Sequence, residues 1–214
     1  MRNRTSPPPP PGAGLPLRPD AASPVRAAAD PDASDGLEDG LLAIWACKGD
    51  EEAFAILVRR HSSRLLGLAQ HLLGNRADAE DAVQEAFLSA WRQLPTFHHG
   101  ASFGTWMYRI TTNRCLNILR SAPHPVPLDS VSEPAAADAG SSPPRVAEAD
   151  AATAALIRAL LELRPELRAC WVLRELHGLH YDEIAHVMGS SEHAVRGRLF
   201  RARRTLMEAM RPWR

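Results

Sequence analysis

Seven arginines stand between Ser190 and the C-terminus: Arg196, Arg198, Arg201, Arg203, Arg204, Arg211 and Arg214, against only Glu192 and Glu208. Guanidinium groups at this density can pair with phosphates or fork onto guanine. The stretch YDEIAHVMGSSEHAVRGRLFRARRTL, Tyr181 to Leu206, is built to present them. Ile184, Ala185 and Val187 make the inner face of a short helix. Gly189 supplies the positive φ of a sharp reversal, Ser190 or Ser191 caps the next helix, and Val195, Leu199 and Leu206 turn inward on it. That layout is a helix-turn-helix, whose second helix enters the DNA major groove. A basic helix by itself is usually a solvated face. Here a preceding helix, a glycine turn and a cap stand at the right spacing, and they favour DNA.

The chain around this stretch carries no net charge, with 25 Lys and Arg against 25 Asp and Glu, so an acidic surface must lie elsewhere. No segment approaches the ~20 apolar residues that span a bilayer, and proline interrupts the N-terminus where a secretory signal needs an apolar core. A cytoplasmic protein is expected. Cys47, Cys115 and Cys170 are far apart, and each sits in an apolar helical context, which reads as buried reduced thiols. His177, His180, His186 and His193 cluster in sequence, but no cysteine pair or suitably spaced acid joins them, so no metal is expected. No cofactor motif, phosphate loop, catalytic triad or carboxylate pair stands out, and no enzymatic activity is expected.

All periodicity in the chain is helical. Residues 1–36, rich in Pro and Gly, read as a disordered tail. A first domain, 37–120, follows. Leu41, Ile44 and Trp45 form one apolar stripe; Phe54, Leu57 and Val58, then Leu65, Leu68 and Leu72, form others. Asp50 is placed to cap one helix and Gly74 to end it. Asp78 is placed to cap the next, whose apolar face is Val83, Phe87, Ala90 and Trp91, and Pro95 stops it. A further helix starts at Gly104, with Trp106, Ile110 and Leu119 facing inward and Cys115 on the flank. Residues 121–149 read as a flexible linker, too long and too rich in Pro and Ser for a loop within one compact domain. The second domain, 150–214, has two helices before the helix-turn-helix, with Pro165 in the first turn of one and Gly178 at its end.

A helix-turn-helix is shared by many regulators, and the first domain separates them. DAEDAVQEAFLSAWRQLPTF followed by SFGTWMYRITTNRCLNILR resembles the second conserved region of bacterial sigma factors of the extracytoplasmic-function class. The C-terminal stretch LRPELRACWVLRELHGLHYDEIAHVMGSSEHAVRGRLFRARRTL resembles the fourth region of the same class. The resemblance implies an all-α chain with two small helical domains. It implies core RNA polymerase, promoter DNA and an anti-sigma factor as partners. The helix from Asp78 to Leu94 would dock on the polymerase through Asp81, Gln84, Glu85 and Ser89, although its first acids also suit the helix dipole. Phe97, Phe103, Arg109, Thr112, Asn113 and Asn117 would hold the opened −10 strand, where Asn and Arg read base edges and apolar walls receive a flipped base. Trp106 reads as core.

His193, Arg196, Gly197, Arg198, Phe200 and Arg201 would meet the −35 element, Arg196 and Arg201 foremost. His98-His99, Ala194 and Gly197 depart from residues frequent in the class, so the promoter sequence does not follow. Two other readings fit a basic helix-turn-helix. A stand-alone regulator would bind duplex DNA unaided, usually as a dimer, and no heptad seam is present. A protein-only adaptor would keep its activity after charge reversal at Arg196 and Arg201.

Overall fold

The computed structural model describes residues 31–97, 102–121 and 144–213, with side chains from residue 39 in the first segment and from 151 in the last. Eight α-helices lie in the described residues: α1 (Pro31–Cys47), α2 (Glu51–Leu73), α3 (Arg76–Gln93), α4 (Phe103–Ser121), α5 (Pro144–Glu162), α6 (Pro165–Glu175), α7 (Tyr181–Val187) and α8 (Glu192–Ala209). Short 3₁₀ turns follow α3 and α8, and there is no strand among the described residues. The loop His98–Ala101, most of the expected tail and most of the expected linker lie outside the described residues. α1 starts at Pro31 and α5 at Pro144, each inside a stretch expected to lack structure.

Local chemistry sets the helix ends. The Asp50 carboxylate accepts the Ala53 amide at 3.0 Å and caps α2. Gly74 ends that helix at φ +73°, and a Cβ there would also lie 2.8 Å from Leu161 of α5. α3 is capped by Asn75, whose Oδ1 accepts from Ala77 and Asp78. Asp78, expected at that cap, lies inside the first turn, because Asn75 follows the Gly74 stop directly and reaches the amides first. Ser102 caps α4 by accepting from Thr105 at 3.1 Å. Pro165 opens α6. Gly189 turns the chain at φ +57°, and Ser191 caps α8.

α2 is the central element, packed on α1, α3 and α4. Leu57, Leu65, Leu68 and Leu72 along it are buried. α8 closes a second bundle with α5, α6 and α7 around Val172, Leu173, Ile184, Val195 and Leu199.

Two helices turn a different face inward from the one their apolar periodicity suggests. On α1, Leu41, Ile44 and Trp45 are exposed, while Asp39, Leu42, Ala43 and Ala46 are buried. On α4 the buried residues are Phe103, Thr105, Met107, Thr111, Thr112, Cys115 and Leu116, and Trp106, Ile110 and Leu119 are only half-buried. The reason on α4 is that it is covered on two sides, by α2 and α3 and by α6 and α7. Cys47 is exposed, unlike the expected buried thiol, because it lies at the end of α1 beside the Lys48-Gly49 turn. Cys115 and Cys170 are buried, and burial pushes the Cys115 thiol up to about 12.

The two bundles share a polar seam. Arg168 of α6, buried, donates to the carbonyls of Leu72 at the end of α2 and of Leu161 and Leu163 at the end of α5. One guanidinium thus satisfies orphan carbonyls of two helix C-termini, which is also where the dipole favours a cation. Burial nonetheless lowers its pKa to about 10. Nearby the Tyr108 hydroxyl meets His177 Nδ1 at 3.1 Å, and Thr105 donates to Glu183 of α7 at 3.4 Å. His177 is held neutral, its pKa lowered to about 4 by burial and then by the charges of His71 and Arg64.

Candidate nucleic-acid interface

A groove of about 820 Å³ runs between α3 and α4. Glu85 and Ser89 face it from α3, Arg109, Asn113 and Asn117 from α4. The last three follow at i, i+4 and i+8, so they form one row along α4. Residues expected to serve the polymerase and residues expected to serve the −10 strand therefore meet in one groove. Arg92, Trp106 and Arg114 also line it, and three arginines against one glutamate leave it basic. Glu85 is already paired with Arg114, Gln93 donates to Ser89 at 2.6 Å, and Arg120 donates to Asn117 at 3.2 Å. Asp81 and Gln84 are exposed on the outer part of α3, with Leu88 beside them.

Three of the six residues expected at the −10 strand, Arg109, Asn113 and Asn117, are exposed on the groove. Phe103 and Thr112 are not. Phe103 is 1% exposed, with its ring among those of His61, Phe97 and Trp106, and Thr112 is fully buried without a partner for its hydroxyl. Both are turned away from the groove because the inner face of α4 is rotated relative to its apolar stripe. Phe97 is half-buried against Trp106, with ring centroids 4.9 Å apart. Trp106, read from sequence as core, is half-buried on the groove wall. Arg92 and Leu88 had a signal in the sequence: they share the helical rows of Ser89 and Glu85.

The second surface is the outer face of α8. A shallow notch of about 450 Å³ is lined by His193, Ala194, Gly197, Arg198, Phe200 and Arg201. Phe200 is 68% exposed, an unusual position for a large apolar ring. The arginines of α8 are not equivalent. Arg196 is held by Glu192 at 2.8 Å and lies over the Tyr181 ring, 5.6 Å from its centroid. Arg198 turns back to donate to Ser190 at 2.9 Å and braces the turn of the motif. Arg203 is fixed to Glu175 of α6 at 2.6 Å. Arg201 is exposed and makes no hydrogen bond or ion pair among the described residues. A Cβ added at Gly197 would meet nothing within 4 Å, so neither packing nor backbone conformation requires glycine there.

Known proteins share both regions of the chain. Residues 57–123 match the family Sigma-70 region 2, and residues 153–206 match Sigma-70, region 4. The chain is similar to the RNA polymerase sigma-H factor of Pseudomonas aeruginosa, 34% identical over 77% of this chain and 90% of the relative. It is 33% identical to the ECF RNA polymerase sigma-E factor of Escherichia coli K12, over 84% of this chain and 97% of that one. Among solved structures, CnrH in complex with the cytosolic domain of CnrY superimposes with a TM-score of 0.62 at 27% identity, covering 82% of this chain and 98% of that chain. The sigma factor RpoE of Bartonella quintana, solved with the anti-sigma factor NepR, shares the fold with a TM-score of 0.55 at 21% identity over 74% of this chain and 96% of that chain. With both regions in order and relatives matched along nearly their whole length, the chain belongs to the extracytoplasmic-function sigma factors of the sigma-70 family.

Proposed function

We propose that this sigma factor brings core RNA polymerase to promoters and helps open them, supplying no catalysis of its own. Asp81, Gln84 and Leu88 on the outer part of α3 offer a polymerase contact. The α3–α4 groove takes the opened −10 strand: Arg109 and Arg114 suit its phosphates, Asn113 and Asn117 its base edges, and Trp106 a stacked base. The outer face of α8 enters the −35 major groove with Arg201 and Phe200 leading and Arg196 pre-oriented by Glu192 and Tyr181. Arg198 acts through the turn that aims α8.

The observation that carries this reading is the pair of accessible, basic surfaces on separate bundles, one between the facing sides of α3 and α4 and one on the outer face of α8. Elements about 25 base pairs apart lie on the order of 85 Å apart at 3.4 Å per step. A packed chain of this length has a radius of gyration of about 17 Å, so the two bundles must separate to reach both. The segment 122–143 spans up to ~70 Å if extended, which with the bundles' own dimensions is enough. An anti-sigma partner, as the relative RpoE of Bartonella quintana is solved with, would act by covering these surfaces. No helix among the described residues is long and apolar enough to cross a membrane, and the proposed action is on cytoplasmic polymerase.

Co-purification of the full chain with bacterial core polymerase, followed by run-off transcription from a promoter library, tests the proposal. Stable binding with start-site-specific transcripts is expected. Failure to bind active core in the absence of an anti-sigma factor would reject it.

A further inference from the structure

Asp39 is a carboxylate that α1 buries to 4% exposure, although its neighbours Leu41, Ile44 and Trp45 remain in solvent. Its oxygens are divided between two residues of α2. His61 Nε2 donates to Oδ2 at 2.6 Å, and Arg60 donates to Oδ1 at 2.9 Å. Burial alone would raise the carboxyl pKa, but the hydrogen bonds from His61 and Arg60 outweigh it and hold the group below the usual range. Asp39 is therefore ionised, and it orients the His61 ring.

That ring is a platform for the start of α4. Its centroid lies 5.4 Å from that of Phe103. A Cβ at Gly104 would come within 3.4 Å of His61 Cε1, so α4 sits close on the imidazole. Phe103 in turn packs on Trp106 at 5.8 Å, and Phe97 closes the cluster against both rings. Trp106 is the aromatic wall of the α3–α4 groove, one turn before Arg109. A purely apolar anchor would bury as much surface without the desolvation cost of a charge. What the ionised pair adds is direction, since its hydrogen bonds allow one ring orientation.

We propose that Asp39 and His61 are positioning residues for opened-strand capture, setting through Phe103 the place of Trp106 on the groove wall. The inference rests on the groove's assignment to the −10 strand. Neither residue touches DNA; α1 contributes to promoter opening only through this relay.

The test uses the full chain assembled with core polymerase, on a promoter selected by the run-off experiment. Permanganate reactivity of unpaired thymines reports opening, and core affinity and −35 duplex retention are measured in parallel. Loss of one base–aromatic stack costs roughly 5- to 150-fold by alanine substitution. His61→Ala and Trp106→Ala should therefore each slow opening by about 10-fold, with core affinity within about 2-fold of wild type. Asp39→Asn should impair opening when His61 is present and add no further defect in a His61→Phe background, where a ring remains but cannot be aimed. A structural role for Asp39 would instead lower opening, core binding and thermal stability alike in both backgrounds. That result, or unchanged opening in His61→Ala, overturns the inference. Should Asp39→Asn not fold, His61→Phe decides alone: slowed opening with intact core binding supports the relay, and wild-type opening rejects it. Absence of opening with wild-type chain that binds core rejects the groove's assignment itself, and the relay with it.

Discussion

The α3–α4 groove and the α8 face, the two surfaces proposed to meet DNA, both carry arginine and accessible ring surface, yet they are built differently. The groove needs two successive helices seated against each other, a rotated inner face on α4 and the Phe97 ring from the segment between them. Its polar groups are largely engaged with one another, Glu85 with Arg114 and Ser89 with Gln93. The α8 face is one helix whose register alone puts His193, Gly197, Phe200 and Arg201 together. Its supports, Glu192, Tyr181 and Glu175, act from behind. A single-helix surface is local in sequence and tolerates change in the rest of the fold. A two-helix groove inherits every error in how its helices are seated.

The largest effect is expected at the seam that joins the two bundles. Arg168→Met leaves the carbonyls of Leu72, Leu161 and Leu163 without their shared donor. Hydrogen bonds to a charged group are worth ~1.5–3 kcal/mol each, and Arg168 is buried, so destabilisation of about 3 kcal/mol is expected in chemical denaturation. Because the bundles part on a promoter, the bond to Leu72 is already broken there, and what Arg168→Met loosens is the joint of α5 and α6 under α8; −35 duplex binding should therefore fall more than opening from a bound complex. A larger loss in opening would show that the groove keeps its support from the second bundle on DNA.

Next come the contacting residues. Arg201→Ala should weaken −35 duplex binding by ~1–3 kcal/mol and lower the salt slope if its partner is a phosphate. Arg198→Ala, measured in the same binding assay, should act through stability of the turn instead, shifting the thermal midpoint along with affinity. A loss in affinity at Arg198 without any change in stability would show it to be a direct contact.

The pair Asn113→Ala and Thr112→Val sharpens the groove. The first should reduce permanganate-detected opening by ~1 kcal/mol or more, as loss of a base-edge hydrogen bond. Thr112→Val swaps a buried, unpartnered hydroxyl for a methyl group, so it should leave opening unchanged and be neutral or stabilising by up to ~1 kcal/mol. Weakened opening in Thr112→Val would mean that α4 turns when DNA binds.

The effect that is smallest at neutral pH, and grows only on acidification, is that of His177. His177 has a folded pKa of about 4, below its ordinary 6.5. A depressed histidine favours the neutral form in the folded state. Its contribution is complete above 6.5 and is lost as pH falls from 6.5 toward 4, where the unfolded chain takes up the proton first. His177→Phe should flatten this part of the stability profile, measured by denaturation between pH 7 and 4. An unchanged slope would place the acid sensitivity elsewhere.

Much of this was legible in the residues. Asp50, Gly74, Pro165, Gly189 and Ser191 stand where the helix ends and the turn require them, because caps and reversals are decided by neighbours a few positions away. The helix-turn-helix and its row of basic residues follow from the spacing of Ile184, Val187, Val195 and Leu199. That Arg109, Asn113 and Asn117 share one row of a helix was legible from their spacing, and the structure puts that row on the groove.

What the chain alone settles is therefore local: all-helical elements, their ends, two regions in order, and which side chains share a helical face. Tertiary structure decided which face each helix buries. Leu41, Ile44 and Trp45 form a stripe as apolar as any in the core, yet α1 turns Asp39 inward because His61 and Arg60 wait for it on α2. Thr112 and Phe103 are buried, and Trp106 stands half-buried on the groove wall, because α4 is covered by helices on two sides. Burial depends on what lies opposite a helix, and periodicity describes only the helix itself.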